Sequence, residues 1–361
     1  SFVYQGYKKE GFHIDEMFGY TQVANTEYWR VTSDQEDQIY MNHWHDVSHF
    51  EDFLTINEKE AFDLKGAWNT AYDNSAHPPL YFVILQFVTS LLFRNHFTKW
   101  SGLCTNLPFY IGSLIVLYLL SKKIFQSKVG PSLAVTAIYG ISVAAIDTSI
   151  FLRMYMMITF YSLSLWTINT FLYHSMLSDD PNKKKRIVGF GILEFILIFL
   201  GILTHYYFLI FSFFTCGVFI LLLLIKKKWK FAISYGSVAL LAVGTCASIC
   251  PNFFSDLFSN GRGAQAVEQA SSTIGWLGRF RQFIVLIQEL LMGRTITIVF
   301  FVFLGILVGI SLVRSKALLD ITQTMNKEMI VSFTIIIALY VVLISLIAPM
   351  QTYRYIININ D

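Results

Sequence analysis

The sequence predicts an all-α polytopic membrane protein, and three features support that prediction. Hydrophobic residues make up 55% of the 361-residue chain and charged residues only 14%, whereas soluble domains carry about 25% charged residues. Apolar segments of about 20 residues, long enough to cross a bilayer, recur along the chain. Lysines cluster between these segments. A soluble enzyme, a disordered chain and a nucleic-acid-binding protein are excluded, because none could accommodate so much Phe, Ile and Leu.

The polar beginning of the chain predicts a large first loop. Residues 1–76 carry fourteen of the twenty-four acidic side chains. The segment 80–93 is apolar but has only fourteen residues, which suits an interfacial or re-entrant helix better than a crossing. We therefore expect residues 1–99 to form one loop with an interfacial helix at 80–93, followed by a transmembrane domain over 100–361.

The transmembrane domain is expected to form a bundle of about eight crossing helices. Each predicted crossing is a predominantly apolar segment close to the length that spans the hydrocarbon core. A further polar loop is expected at 250–295, between the sixth and seventh crossings. The crossings are predicted at 103–121, 131–149, 154–176, 187–204, 207–225, 231–249, 296–314 and 329–348.

Lysine-rich connections predict the orientation. Cytoplasmic loops carry an excess of Lys and Arg. If 80–93 does not cross, every second connection is lysine-rich, and all four such connections are expected to be cytoplasmic. The first loop, the turns near 150 and 205, the loop at 250–295 and the C-terminus are then extracytoplasmic. The four lysine-rich connections lie around 122–128, 183–186, 226–230 and 314–327.

Arginine marks the opposite side. Twelve of the fourteen predicted inner cations are lysine, whereas every outer cation beyond residue 100 is arginine. A guanidinium grips phosphate with two parallel donors and stays charged when partly desolvated, so the outer face is a candidate anion-binding surface. Snorkelling of arginine at helix ends is the alternative for each one. These residues are Arg153, Arg262, Arg279, Arg281, Arg294 and Arg354.

Two clusters of the first loop could carry chemistry. In a strand or turn, the adjacent carboxylates of Asp15 and Glu16 point in different directions, so one could serve a reaction while the other binds a metal or orients a partner. Ordinary loop solvation is the alternative. Further along, Pro78 and Pro79 fix the chain before a helix and would hold His77 at the membrane surface. An incidental histidine at a helix start is the alternative there.

Two further clusters occupy predicted outer turns. Asp147, Arg153 and Tyr155 surround the turn between the second and third crossings, where the acid and the arginine could simply pair. His205 and Tyr206 follow the fourth crossing. Aromatic side chains are common at such helix ends, so the tyrosine there carries little information alone.

Other polar residues have weaker interpretations. His43, His45 and His49 could bind a divalent metal, or could belong to a solvated loop. Glu194 interrupts an apolar helix, where an acid is costly and usually faces a polar interior. It is either a packing partner or part of a lipid headgroup cavity. The cysteines lack metal-ligand spacing and are interpreted as small buried hydrophobic residues: Cys104, Cys216, Cys246 and Cys250.

Together the outer clusters resemble the GT-C superfamily of membrane glycosyltransferases. The most similar branch uses polyprenyl-phosphate sugars and includes protein O-mannosyltransferases and aminoarabinose transferases. The resemblance covers residues 11 to 355, and its specificity lies in the order and shared side of its motifs. The motifs are Asp15-Glu16, His77-Pro78-Pro79-Leu80-Tyr81, Arg153-Met154-Tyr155, Thr204-His205-Tyr206-Tyr207 and Tyr353-Arg354-Tyr355.

The resemblance implies transfer of a sugar, with inversion, at an extracytoplasmic active site of a multi-pass cell-membrane enzyme with the GT-C fold. By this analogy Asp15 is the catalytic base, and Glu16 supports it or helps to hold a divalent metal. Arg153 and Arg354 would bind the phosphate of the donor, for which undecaprenyl phosphate is the expected carrier. The implied lining residues are His77, Tyr81, Asp147, Tyr155, His205 and Tyr206.

One position departs from the family pattern. Many relatives carry a glutamate two residues before the arginine of the second turn, where this chain has Phe151. Asp147, six residues before Arg153, is the only candidate substitute nearby. A second catalytic carboxylate therefore cannot be transferred directly from the family.

Alternative functions and the boundaries of the chain complete the interpretation. A transporter or lipid flippase is the rival class, although such proteins often show internal repeats and none is evident here. A structural subunit would leave the Asp15-Glu16 pair unexplained.

Because the chain begins at Ser1 and ends abruptly at Asp361, we expect both ends to be incomplete. The sugar and the acceptor, whether protein, polymer or glycolipid, stay open, as does metal dependence.

Overall fold

A computed structural model describes residues 2–24, 44, 46–73, 77–179, 181–259, 261–271, 275–289 and 327–348. Within these ranges all regular secondary structure is helical, which confirms the predicted all-α class. Residues 276–289 are helical in addition to the named elements. The named helices are α1 (Phe2–Lys8), α2 (Ile14–Ala24), α3 (Val47–Leu54), α4 (Leu64–Asp73), α5 (Leu80–Leu92), α6 (Lys99–Ile124), α7 (Val129–Ile141), α8 (Val143–Ile150), α9 (Tyr155–Leu177), α10 (Lys183–Thr204), α11 (Tyr207–Ile225), α12 (Trp229–Ile249), α13 (Phe253–Phe258), α14 (Gly261–Ser271) and α15 (Lys327–Ile347).

Five of the described helices are long and apolar enough to cross a membrane: α6, α10, α11, α12 and α15. They coincide with five predicted crossings, those at 103–121, 187–204, 207–225, 231–249 and 329–348. The chain is therefore a polytopic membrane protein. The crossing predicted at 296–314 lies outside the described residues, so the total of eight crossings stays a prediction.

The crossing predicted at 131–149 is broken into α7 and α8, which are bent by 51°. Ser142 lies at the break with an extended backbone, and its hydroxyl accepts the N–H of Ala145. The same hydroxyl donates to the carbonyl oxygen of Tyr139 at 2.7 Å. Because this serine ends one helix and caps the next, the segment is a broken span or a re-entrant pair, not one straight helix.

The segment predicted to cross at 154–176 forms the central helix of the bundle. Eighteen of the 23 residues of α9 are buried, and they include serines, threonines and Asn169. The helix falls below the hydropathy of the five spans. A helix surrounded by other helices meets protein instead of lipid, and it can therefore carry polar residues that a lipid-facing helix cannot.

The short helix α5 forms at the segment 80–93, where the sequence predicted an interfacial helix, and its position at the interface stays a prediction. It has 13 residues, too few to cross a bilayer. The side-chain amide of Gln86 donates to the carbonyl oxygens of Val23 and Glu60 at 3.3 and 2.8 Å, so α5 holds the preceding loop segments together. Whether all of 1–99 is extracytoplasmic stays a prediction.

Contacts between helix ends place three lysine-rich connections at one end of the bundle, here named the lysine end. Lys123 lies 5.9 Å from the ring of Phe171, and that ring stacks at 6.1 Å on Phe190 in the first turns of α10. Lys226 pairs with Glu328 at 2.6 Å, and Glu328 accepts the hydroxyl of Tyr173, near the end of α9, at 2.9 Å. The start of α9 lies roughly 34 Å away, since a helix rises about 1.5 Å per residue. We name that opposite end, where α2 meets α9, the loop end.

A glycine allows α10 and α11 to approach closely at the loop end. A Cβ atom built on Gly201 would overlap the ring of Phe208, which is fully buried. Gly191, ten residues earlier on the same helix, has no atom within 4 Å of the equivalent position. The contact at Gly201 therefore requires the absence of a side chain.

We expect Gly201→Ala to lower the thermal midpoint of the detergent-solubilised protein, because overpacking a buried contact costs about 1–3 kcal/mol. Gly191→Ala is the matched control and should leave the midpoint unchanged or slightly higher, since alanine favours a helix by about 1 kcal/mol. Fluorescence-detected size exclusion after heating measures both. Equal midpoints for the two variants would refute the close approach.

Candidate active site

The first helical turn of α2 presents Asp15 and Glu16. His13 precedes this helix, and its Nδ1 accepts the backbone N–H of Asp15 at 3.1 Å. Glu16 reaches back, and its Oε2 accepts the N–H of His13 at 2.7 Å. The two bonds cap the start of α2 much as a capping box does, with histidine in the place usually taken by serine or threonine and with Asp15 as the donor to its side chain. They fix where the helix begins and hence where both carboxylates lie.

Glu16 connects the start of α2 to the turn before α9. Its carboxylate is completely buried, and Oε1 accepts the backbone N–H of Leu152 at 2.7 Å. Lys9 pairs with the same oxygen at 3.0 Å. Since both oxygens are occupied by the protein, the geometry favours a positioning role for Glu16 over the metal-binding role that the sequence left open.

Arg153 contacts Asp15, and both residues belong to the site proposed from the sequence. The Nη1 of Arg153 donates to the backbone oxygen of Asp15 at 2.8 Å. The guanidinium is almost fully buried and lies 5.4 Å from the centre of the Phe82 ring. The Asp15 carboxylate itself is 33% exposed and lies 3.6 Å from Nδ1 of His13. A buried cation and an accessible carboxylate thus occupy one place.

The motif that begins α5 contributes His77 and Tyr81. The rings of His77 and His205 lie 6.3 Å apart. Tyr81 is fully buried, and its hydroxyl has no hydrogen-bond partner among the residues that the structure describes. Burial, opposed by the nearby charge of Arg153, raises the pKa of Tyr81 well above its usual value. Tyr81 therefore stays protonated and can donate a hydrogen bond.

His205 lies in the turn between α10 and α11. Its Nδ1 accepts the N–H of Tyr207 at 3.1 Å, and its ring lies 6.0 Å from that of Tyr155. Desolvation and the charge of Arg153 lower its pKa from the usual 6.5 to about 4. Because the folded-state pKa is the lower one, this residue stabilises the fold above pH 6.5, and that contribution is lost as the pH falls towards 4.

Two predicted lining residues are directed elsewhere. Tyr206 donates its hydroxyl to Oδ2 of Asp256 at 3.1 Å, so it joins the start of α11 to the segment after α12. Asp147 is exposed on α8, and its side chain makes no hydrogen bond or ion pair with any described residue, while its backbone oxygen accepts the N–H of Phe151 at 3.0 Å. Phe151 fills the position of the family's glutamate and stacks at 5.6 Å on Tyr155. The structure therefore offers no support for Asp147 as a substitute carboxylate.

Sequence reasoning missed two residues that shape the site. Asn106 donates to the carbonyl oxygens of Ser149 and Phe151 at 3.0 and 2.9 Å, which fixes the turn that carries Arg153. Tyr20 donates to the carbonyl oxygen of Thr98 at 3.0 Å and so fixes α2 on α6. An asparagine inside an apolar helix is itself a signal of a buried polar contact, and it could have identified Asn106.

Several residues that the sequence suggested as functional lie outside the cluster around Asp15 and Arg153 or outside the described residues. Arg354, His43 and His45 are beyond the described residues, as is the side chain of His49. In the part of the chain that the structure describes, no group of three or more His, Cys, Asp or Glu residues could hold a metal ion. Arg279, predicted as an outer anion-binding residue, donates to the carbonyl oxygen of Ser345 at 3.1 Å and so binds the end of α15.

Glu194 and the cysteines occupy positions that fit their interpretation as packed residues of the helices. Glu194 is completely buried between α10, α11 and α12, beside Cys216 and Tyr235. This position fits the packing alternative better than a headgroup cavity open to lipid. All four cysteines are reduced; three are buried and Cys104 is half-buried.

We expect Glu16→Ala to destabilise the protein strongly, because it leaves the backbone N–H groups of His13 and Leu152 without their acceptor. Each unsatisfied buried group costs about 1–3 kcal/mol. Asp15→Ala, at the adjacent and partly exposed position, is the control and should keep most of the stability. Thermal midpoints measure both variants. If Glu16→Ala melts like the parent, the carboxylate does not join these segments.

Comparisons of the chain with protein-family models, with curated proteins and with solved structures find no match.

Proposed function

We propose that this protein transfers a sugar from a polyprenyl-phosphate donor to an acceptor at the loop end of the bundle, which we place on the extracytoplasmic side. One observation carries the proposal: Asp15, whose carboxylate is accessible, contacts the buried guanidinium of Arg153 through its backbone oxygen, although 138 residues separate the two in sequence. Glycosyl transfer from a lipid phosphate needs one group of each kind. We take undecaprenyl phosphate as the expected carrier.

Asp15 acts as the base in this proposal. Its carboxylate removes the proton of the acceptor hydroxyl or amine, and the freed electron pair attacks the anomeric carbon. The bond between that carbon and the phosphate oxygen breaks, and its electrons remain on the phosphate. Attack opposite the leaving group inverts the anomeric configuration. Assistance of this kind is worth about 10²–10⁴-fold in rate.

Arg153 acts on the leaving group. The phosphate gains a negative charge as the bond to the sugar breaks, and a guanidinium held in place before the reaction stabilises that charge without reorganising. The hydrogen bond to the backbone of Asp15 holds Arg153 in one orientation. Low exposure to water strengthens its field on a bound anion. Glu16 positions both partners and contacts neither substrate.

A second candidate, passage of a lipid headgroup or solute through the bundle, is favoured by buried polar groups on α9. Ser162, Trp166 and Asn169 share one helix face. Their side-chain polar atoms have no hydrogen-bond partner among the described residues. Passage would not require a base at the loop end, so the consequence of removing the Asp15 carboxylate distinguishes the two functions.

We expect Asp15→Asn to abolish transfer, with a loss of at least about 100-fold, while the thermal midpoint stays near that of the parent. The assay incubates purified protein with a panel of polyprenyl-phosphate sugars and measures release of free polyprenyl phosphate. Glu10→Gln, which removes an exposed acid of the same loop, is the control and should retain activity. Normal transfer by Asp15→Asn would eliminate Asp15 as the base.

We expect Arg153→Lys to raise KM for the lipid donor while KM for the acceptor changes little, because lysine keeps the charge but loses the paired donors. Arg279→Lys is the matched control, since that arginine contacts the end of α15 instead of the site. Steady-state kinetics with each substrate varied in turn measure the effect. A donor KM equal to that of the parent would contradict the phosphate assignment.

A further inference from the structure

His205 has a defined tautomer in this fold. Its Nδ1 accepts the backbone N–H of Tyr207 at 3.1 Å, at the start of α11. A ring nitrogen that accepts a hydrogen bond carries no hydrogen, so in the neutral ring the hydrogen is on Nε2. The backbone contact also satisfies one of the N–H groups that a helix start leaves unpaired. The local structure therefore fixes Nε2 as a donor.

The surroundings of His205 keep the ring neutral. Aromatic rings lie against it: Tyr207 stacks at 5.3 Å, and Tyr155 and His77 lie at 6.0 and 6.3 Å. The charged group that acts on it is the guanidinium of Arg153, which disfavours a second positive charge. The resulting pKa of about 4 leaves His205 uncharged at physiological pH.

Two donors beside Arg153 are available to a ligand. The hydrogen bond of the His205 ring is made by Nδ1, so the hydrogen on Nε2 can be donated to a ligand. The hydroxyl of Tyr81 is fully buried and has no hydrogen-bond partner among the described residues. The Arg153 guanidinium lies 5.4 Å from the ring of Phe82, and that ring lies 5.8 Å from the ring of Tyr81. His77 connects the same ring to His205, at 6.3 Å from each. An anion bound against Arg153 could accept both hydrogen bonds, whereas a cation could accept none.

We propose that His205 and Tyr81 are neutral hydrogen-bond donors to the phosphate of the lipid donor, and that they complete with Arg153 a three-donor anion subsite. This inference rests on the proposed function and extends it. Two neutral donors suit a phosphate next to a buried guanidinium, because a second buried cation would repel the first. They can also strengthen their hydrogen bonds as the leaving phosphate gains charge.

The test measures binding of dodecyl phosphate, a soluble analogue of the released lipid phosphate, to the purified full chain in maltoside detergent. Dodecanol is the control probe without phosphate. His205→Gln and His205→Asn are a matched pair of variants. The glutamine amide nitrogen reaches the position of Nε2, whereas asparagine reaches only the position of Nδ1 and keeps an acceptor for Tyr207.

We expect His205→Asn to weaken dodecyl phosphate binding about 10- to 100-fold, as loss of a hydrogen bond to a charged group does. His205→Gln should bind within a few-fold of the parent. Tyr81→Phe should weaken binding to a similar degree as His205→Asn and gives a second result if the asparagine variant does not fold. Thermal midpoints in the absence of ligand identify any such variant.

The outcomes separate this inference from the proposed function. If the parent binds dodecyl phosphate no better than dodecanol, the donor site itself is wrong. If Arg153→Lys weakens binding but His205→Asn and Tyr81→Phe bind like the parent, the neutral donors are refuted and the proposed function stands. If His205→Gln is as weak as His205→Asn, the Nε2 hydrogen is not the property that matters, and the inference about His205 fails.

A pH series tests the neutral state directly. We expect the ratio of the two dodecyl phosphate affinities, that of the parent and that of His205→Gln, to stay constant from pH 5.5 to 8. The ionisation of dodecyl phosphate changes over this range, but it affects both proteins equally. A parent that gains affinity relative to His205→Gln below about pH 6.5 would show that a protonated histidine binds the phosphate. That result would overturn the neutral-donor assignment.

Discussion

The buried carboxylate of Glu16 is the contact on which the candidate site depends. It accepts the backbone N–H groups of His13 and Leu152 and pairs with Lys9, so one side chain fixes the start of α2 and the turn before α9. A buried charge persists only when it is paired and hydrogen-bonded in this way. Without it, nothing in these contacts would hold the backbone of Asp15 against Arg153 across 138 residues of sequence.

The same principle organises the rest of the loop end. Asn106, Tyr20 and Nδ1 of His205 all use side-chain atoms to satisfy backbone groups, and each thereby fixes a turn or a helix start. Such bonds leave the buried hydroxyl of Tyr81 without a hydrogen-bond partner among the described residues. Since an unsatisfied buried polar group is costly, this position is where a ligand is expected.

The sequence predicted the helix lengths that the bilayer thickness requires. It missed the bend and the buried polar residues that depend on local caps and on packing between helices. Apolar length identified the five spans and the short helix α5, because the hydrocarbon thickness sets both limits. The bend at Ser142 depends on one local cap, and the polarity of α9 reflects helices that surround it. Neither is visible in hydropathy averaged over 20 residues. For the site, motif order assigned Asp15 and Arg153 to one candidate site, and the two residues are in contact. The bonds of Glu16 and Tyr206 could not be predicted, because they depend on residues far apart in sequence.

The two ends of the bundle present cations in different physical states, and this difference favours the loop end as the place where a lipid phosphate is held. At the lysine end, Lys226 is 38% exposed and already pairs with Glu328, so water and salt weaken its field. At the loop end, Arg153 is 3% exposed and oriented by a backbone oxygen. A buried guanidinium has already lost most of its hydration on folding, so an anion that reaches it has little water to displace from the cation. An exposed lysine can attract a phosphate to the surface, whereas a desolvated, oriented arginine can also stabilise the charge that forms when the phosphate leaves a sugar.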